Sequence, residues 1–187
     1  MPLTAHVQSE ITVRVHGGFD DAERILEIIV DEMHEPGELD AAEVQRYLAQ
    51  CLQDWEQAKR SWPRTTDCDR LDQAFEQLEQ QGVLCRQNAG QTQSDGYDDV
   101  RQALSERSHA ERYIGYCFFH GQDLARVVQG GGLYLAFGPL DAAQEHSLGI
   151  EVGQRVMRAL VAAGLHAQWD GHFGQRIALP VFDWKSR

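Results

Sequence analysis

The stretch Tyr113-Ile114-Gly115-Tyr116-Cys117-Phe118-Phe119-His120-Gly121-Gln122-Asp123 changes its structural grammar partway along. Residues 113–119 are aromatic-rich and β-forming and predict a strand. At His120-Gly121-Gln122-Asp123 polar residues and a glycine end it, and a short helix is predicted over Gln122–Gln129. Beyond the glycines Gly130, Gly131 and Gly132 a second strand is predicted over Leu133–Phe137. The glycines follow a helical stretch and open a strand. A phosphate loop needs the reverse order, so they predict a helix cap and a tight turn.

Outward from this segment, strands and helices interleave only in the C-terminal part. Val83–Arg86 reads as a strand start. Asn88–Asp98, with no aliphatic side chain larger than Ala89, reads as an exposed loop, and a helix is predicted over 99–110. A longer helix is predicted over Asp141–Ala163, in which Gly149 and Gly153 leave a smooth patch for close approach to the sheet. Each costs about 1 kcal/mol in helix propensity, which implies a packing reason. His166–Trp169 and Arg176–Val181 flank Asp170-Gly171 and predict a hairpin.

On the N-terminal side, Ile11, Val13 and Val15 alternate with polar residues, the period of a half-buried strand, which reads either as an edge strand or as no strand at all. Asp20 and Glu23 have the spacing of a capping box before Ala22, Ile25, Leu26, Ile29, Val30 and Met33, and Asp40 and Glu43 repeat it before a second helix that ends ahead of Pro63. A third helix runs over 66–81, with Leu71, Ala74, Phe75 and Leu78 as its stripe and Gly82 as its stop. The expected fold is α+β: an N-terminal helical layer, then a four- or five-stranded, mostly antiparallel sheet with packed helices. It forms a single domain over 1–187, divisible near Trp62-Pro63 into a helical subdomain 1–63 and an α+β core 64–187.

The chain has 187 residues, 29 acidic against 17 basic, a formal charge of -12 and 16 aromatic side chains, enough apolar surface for a folded core. So negative a surface argues against nucleic acid and anionic membrane as partners. No apolar run approaches the roughly 20 residues of a membrane span, and the N-terminus lacks the pattern of a secretory signal, so a cytoplasmic location is expected. Cys51, Cys68, Cys85 and Cys117 are dispersed and read as reduced thiols.

His120 and Asp123 are the candidate catalytic pair, because a histidine beside a carboxylate can act as a general base with its tautomer held by a hydrogen bond. Tyr116, Gln122, Tyr134 and Arg176 are the candidate binding residues around them. The competing reading is structural and takes precedence: Asp123 lies in the first turn of the predicted helix, where a carboxylate caps backbone N–H groups. No metal and no cofactor are expected. His166, Asp170 and His172 flank one turn, but a hairpin would have to bring both imidazoles to one face. No Gly-x-Ser-x-Gly elbow is present.

The part from Gly82 to Arg187 resembles a bacterial family known only as a domain of unknown function. The resemblance lies in Arg86-Gln87-Asn88, Phe119-His120-Gly121-Gln122-Asp123, Gly131-Gly132-Leu133-Tyr134-Leu135-Ala136-Phe137-Gly138, Gly164-Leu165, Trp169-Asp170-Gly171, Arg176-Ile177 and Trp184. It implies a compact α+β domain and supplies no reaction. Members carry a cysteine cluster between the positions of Asn88 and Gly96. Here Ala89-Gly90-Gln91-Thr92-Gln93-Ser94-Asp95 stands there, so no metal or redox role carries over. The leading expectation is an acidic protein-binding domain, of the inhibitor or immunity type, with a basic protein as partner. A small hydrolase or transferase using His120 and Asp123 is the alternative, and a structural or oligomerising domain the second.

Overall fold

Val7, Ile11 and Val15 are four residues apart, and in the computed structural model, which describes residues 2–187, they form the buried stripe of a helix, α1 (Ala5–Gly17). Of the two readings of Ile11–Val15, an edge strand or no strand, the strand is therefore wrong: the segment is helical. Its alternation is a local coincidence, and the longer period through Val7 decides. Thr4 caps its start, accepting from the Val7 N–H, and Gly18, at φ 78°, closes its end.

The next helix, α2 (Ala22–Glu27), is capped by Asp21 rather than Asp20. The Arg24 N–H donates to Asp21 Oδ1 at 2.8 Å, while Asp20 pairs with Arg14 at 3.4 Å. A π-helical turn over Ile28–Glu32 continues it. Helix α3 (Ala41–Lys59) starts at the expected cap, Asp40. Val7, Ile11, Val15, Ile25, Ile29, Val44 and Leu48 form one buried cluster among these helices. The C-terminal end is tied to α1, with Trp184 Nε1 donating to the His16 carbonyl at 2.9 Å.

The contacts divide the chain into two compact units: the residues up to Thr66 with Trp184–Arg187, and Asp67–Asp183. The second unit opens with α4 (Asp67–Gln80), stopped by Gly82 at φ 78°. Strand β1 (Val83–Arg86) leads to α5 (Gln93–Ser105), then β2 (Gly115–Phe118), α6 (Gly121–Val128), β3 (Leu133–Pro139), α7 (Glu145–Ala162) and β4 (Ile177–Leu179). The four strands lie in sequence order. The β1/β2 pair is parallel, with Cys85 opposite Cys117, and the β2/β3 and β3/β4 pairs are antiparallel. This is the expected α+β fold, with a mixed sheet of four strands.

Three local expectations need correction. The loop read over Asn88–Asp98 is half helix: Thr92 and Asp95 cap α5 reciprocally, and Gly96 sits inside it because a Cβ there would strike the Phe118 ring. Gly149 and Gly153 on α7 admit aromatic rings rather than backbone. A Cβ on Gly149 would lie 2.5 Å from Phe173, and one on Gly153 2.7 Å from both Phe137 and Trp169. The hairpin around Asp170-Gly171 shrinks to a single bridge, Gln168 with Ala178, while β4 pairs along β3.

Candidate functional site

Where β2 ends, residues 119–122 run beside 89–91: the Ala89 N–H donates to the Phe119 carbonyl at 2.8 Å and the Gly121 N–H to the Gly90 carbonyl at 2.9 Å. These bonds hold His120 extended at the N-cap of α6, which places Asp123 in the first turn. Asp123 is fully buried and His120 is 4% exposed. The chain returns to this point at Arg176, one residue before β4. Its Nη2 donates to Asp123 Oδ1 at 2.6 Å and its Nη1 to Oδ2 at 3.0 Å, a bidentate pair. His120 Nε2 lies 3.0 Å from the same Oδ2 and 3.1 Å from Arg176 Nη1, and the His120 backbone N–H donates to Asp123 at 3.4 Å.

Arginine only donates, so no single tautomer of His120 satisfies both of its close neighbours. With the proton on Nε2, the imidazole donates to Asp123, and Nδ1, which has no hydrogen-bond partner, is a buried acceptor. With the proton on Nδ1, a buried donor is orphaned and the Nε2 lone pair faces a carboxylate. Orphaned buried donors are the rarer case, which assigns the Nε2–H tautomer. Burial pushes the His120 pKa below its ordinary value, and the nearby guanidinium groups of Arg176 and Arg126 push the same way against the pull of Asp123 and Asp95. The imidazole is neutral at pH 7.

The other candidate residues separate. Tyr134, on β3, carries two guanidinium groups near its ring, Arg126 at 4.9 Å and Arg176 at 5.3 Å from the centroid. Tyr116, on β2, packs edge-on to Tyr97 of α5 at 5.7 Å between centroids, and burial drives its hydroxyl pKa up. Gln122 is exposed on α6, its backbone N–H bonded to the Gln91 carbonyl. At the Asp170 turn, the His172 N–H donates to Asp170 Oδ1 at 2.8 Å. Among the described residues no group of three His, Cys, Asp or Glu side chains is placed to hold a metal ion. The four cysteines are free thiols, and burial pushes the Cys85 and Cys117 pKa values up, away from thiolate chemistry.

Beside the cluster lies a cleft of about 430 Å³. Its walls include Tyr97 and Arg101 from α5, Tyr116, Glu145 and Phe173; Arg176 lines it, whereas His120 and Asp123 do not. Arg176 is thus the one member of the cluster that reaches the cleft. The residues of α5 belong to no motif read from the sequence, although Thr92-Gln93-Ser94-Asp95 has capping-box spacing and would have announced the helix that presents them.

The fold is α+β in two compact units, and in the second Arg176 joins the buried pair His120 and Asp123 to an open cleft. The chain belongs to the family described as Domain of unknown function (DUF6891), which it matches over residues 2–187, well beyond the part from Gly82 onward that carries the resemblance. No curated protein and no solved structure matches it. No described helix is long and apolar enough to cross a membrane.

Proposed function

We propose that this chain is a protein-binding domain whose N-terminal unit takes a basic partner. The observation that carries the reading is the distribution of charge. Asp20, Asp21, Glu23, Glu27, Asp31, Glu32, Glu35, Glu38, Asp40 and Glu43 fall within one short segment in which Arg24 is the only Lys or Arg. Most of these carboxylates are exposed, along α2, its π-helical turn and the start of α3. Arg24 is itself occupied, bonded to Glu27 at 2.7 Å and Glu32 at 2.6 Å. Phe19 and Met33 lie exposed at the two ends of α2 and its turn, at 42% and 39%, which adds apolar anchors to a charged face. Such a surface accelerates encounter with a cation more than it holds one.

The state of the His120–Asp123–Arg176 cluster favours this reading over a hydrolase or transferase. A general base must reach substrate, and here the imidazole is buried while both carboxylate oxygens are engaged. The cluster reads as a clamp between the start of α6 and the segment before β4. The test is a pair of baits, the native chain and a variant carrying Glu23→Gln, Glu27→Gln and Asp31→Asn. Basic proteins retained by the native chain and lost by the folded variant are expected; equal retention by both overturns the reading.

A further inference from the structure

We propose that the cleft of the second unit binds a small aromatic carboxylate, with Arg176 as the group that holds the anion. This is independent of the acidic face, which belongs to the other unit. Three observations converge. The first is charge. The chain carries a formal charge of -12, yet two guanidinium groups, Arg101 and Arg176, line this cleft against one carboxylate, Glu145. Both are held by carboxylates outside the lining, Arg176 by Asp123 and Arg101 by Asp98.

The second is preorganisation. Asp123 engages Arg176 through one N–H of each terminal nitrogen, and a guanidinium has five N–H groups, so three remain. The Arg176 side chain keeps 24% of its surface exposed and lines the cleft. Its orientation is fixed from behind by a buried carboxylate, so a ligand would lose little entropy in ordering it. Asp123 is then a positioning residue.

The third is the shape and lining of the cleft. About 430 Å³ falls within the range of small-molecule sites, and the walls combine aromatic faces with a few polar groups, as such sites do. Tyr97, Tyr116 and Phe173 offer faces or edges to a planar ring. Gln93 Nε2 donates to Tyr97 Oη at 2.7 Å, and the Tyr97 and Tyr116 rings meet edge to face at 5.7 Å between centroids. The raised pKa of Tyr116 keeps its hydroxyl a donor. Glu145, on the same lining, offsets one of the two guanidinium groups, which limits the ligand to one carboxylate.

Benzoate is the probe and benzamide its neutral counterpart of the same shape, each titrated into the full-length chain and followed by amide chemical shifts. Benzoate should move the signals of Gln93–Arg101 and Phe173–Arg176 and bind at least about tenfold more tightly than benzamide, the discrimination expected of a charge-assisted contact. Arg176→Gln should lower benzoate affinity at least about tenfold. If that variant fails to fold, Tyr116→Phe, which keeps the ring, should lower it about threefold or more. Equal binding of benzoate and benzamide, shifts confined to other parts of the chain, no shift at all, or undiminished affinity in the folded variant would overturn the proposal.

Discussion

Removing the Arg176 guanidinium should destabilise the second unit more than removing its partner carboxylate. Arg176→Met keeps most of the aliphatic stem beside Tyr134 and deletes the two donors at 2.6 Å and 3.0 Å from Asp123. Asp123 is fully buried, so its carboxylate would be left as an uncompensated charge apart from its bond to neutral His120. Breaking a buried pair in this way costs about 3–5 kcal/mol. That is a large part of the roughly 5–15 kcal/mol that stabilises a typical domain. Asp123→Ala instead strands an arginine whose side chain is 24% exposed and can recover water, so the loss should be about 2–3 kcal/mol, including the helix cap. The double variant should cost less than the sum by at least about 1 kcal/mol. Urea titrations followed by far-UV circular dichroism, with hydrogen exchange of 115–128 isolating this unit, measure all three. A loss below about 1 kcal/mol for Arg176→Met, or additive single losses, would refute the clamp.

Other consequences follow from individual residues. Because burial lowers the His120 pKa from 6.5, the unfolded chain binds more protons than the folded one once pH drops through that value, so stability falls as pH falls below about 6.5. His120→Asn should flatten that slope in pH-dependent urea titrations, leaving the same-signed part that comes from His16. Gly153→Ala drives a methyl against Phe137 and Trp169 and should cost about 1–3 kcal/mol, read as a lowered urea midpoint with unchanged slope. Thr92→Ala removes one half of the α5 capping box and should cost about 1 kcal/mol, whereas Asp20→Ala, which loses only a partly exposed pair with Arg14, should cost less than Asp21→Ala.

The elements whose apolar period runs through their whole length were legible in the sequence. Leu71, Ala74, Phe75 and Leu78 declare α4, and the aromatic block before His120 declares β2. Where two periods compete over a few residues, the local pattern misleads, as at Ile11–Val15, because only Val7 breaks the tie in favour of a helix. The start of α5 was hidden for another reason: its first turns carry Gln, Ser, Asp and Gly, and Gly96 is there to admit Phe118, a tertiary demand that propensity cannot express. His120 and Asp123 were found as a pair because they are three residues apart on one helix start. Their bond to Arg176, 53 residues beyond Asp123, depends on β4 lying beside β3, which no local pattern records. Nor does sequence reveal that His120 is walled off from the cleft that Arg176 lines.

If the acidic N-terminal unit meets a basic partner, its rate of association with the captured protein depends on ionic strength. Raising ionic strength from ~0.01 M to ~0.15 M shortens the screening length from about 30 Å to about 8 Å. The association rate of the native chain should then fall while dissociation changes less, and the Glu23→Gln, Glu27→Gln, Asp31→Asn variant should associate more slowly at low salt and respond less. An association rate indifferent to salt, or the same for both chains, would contradict it.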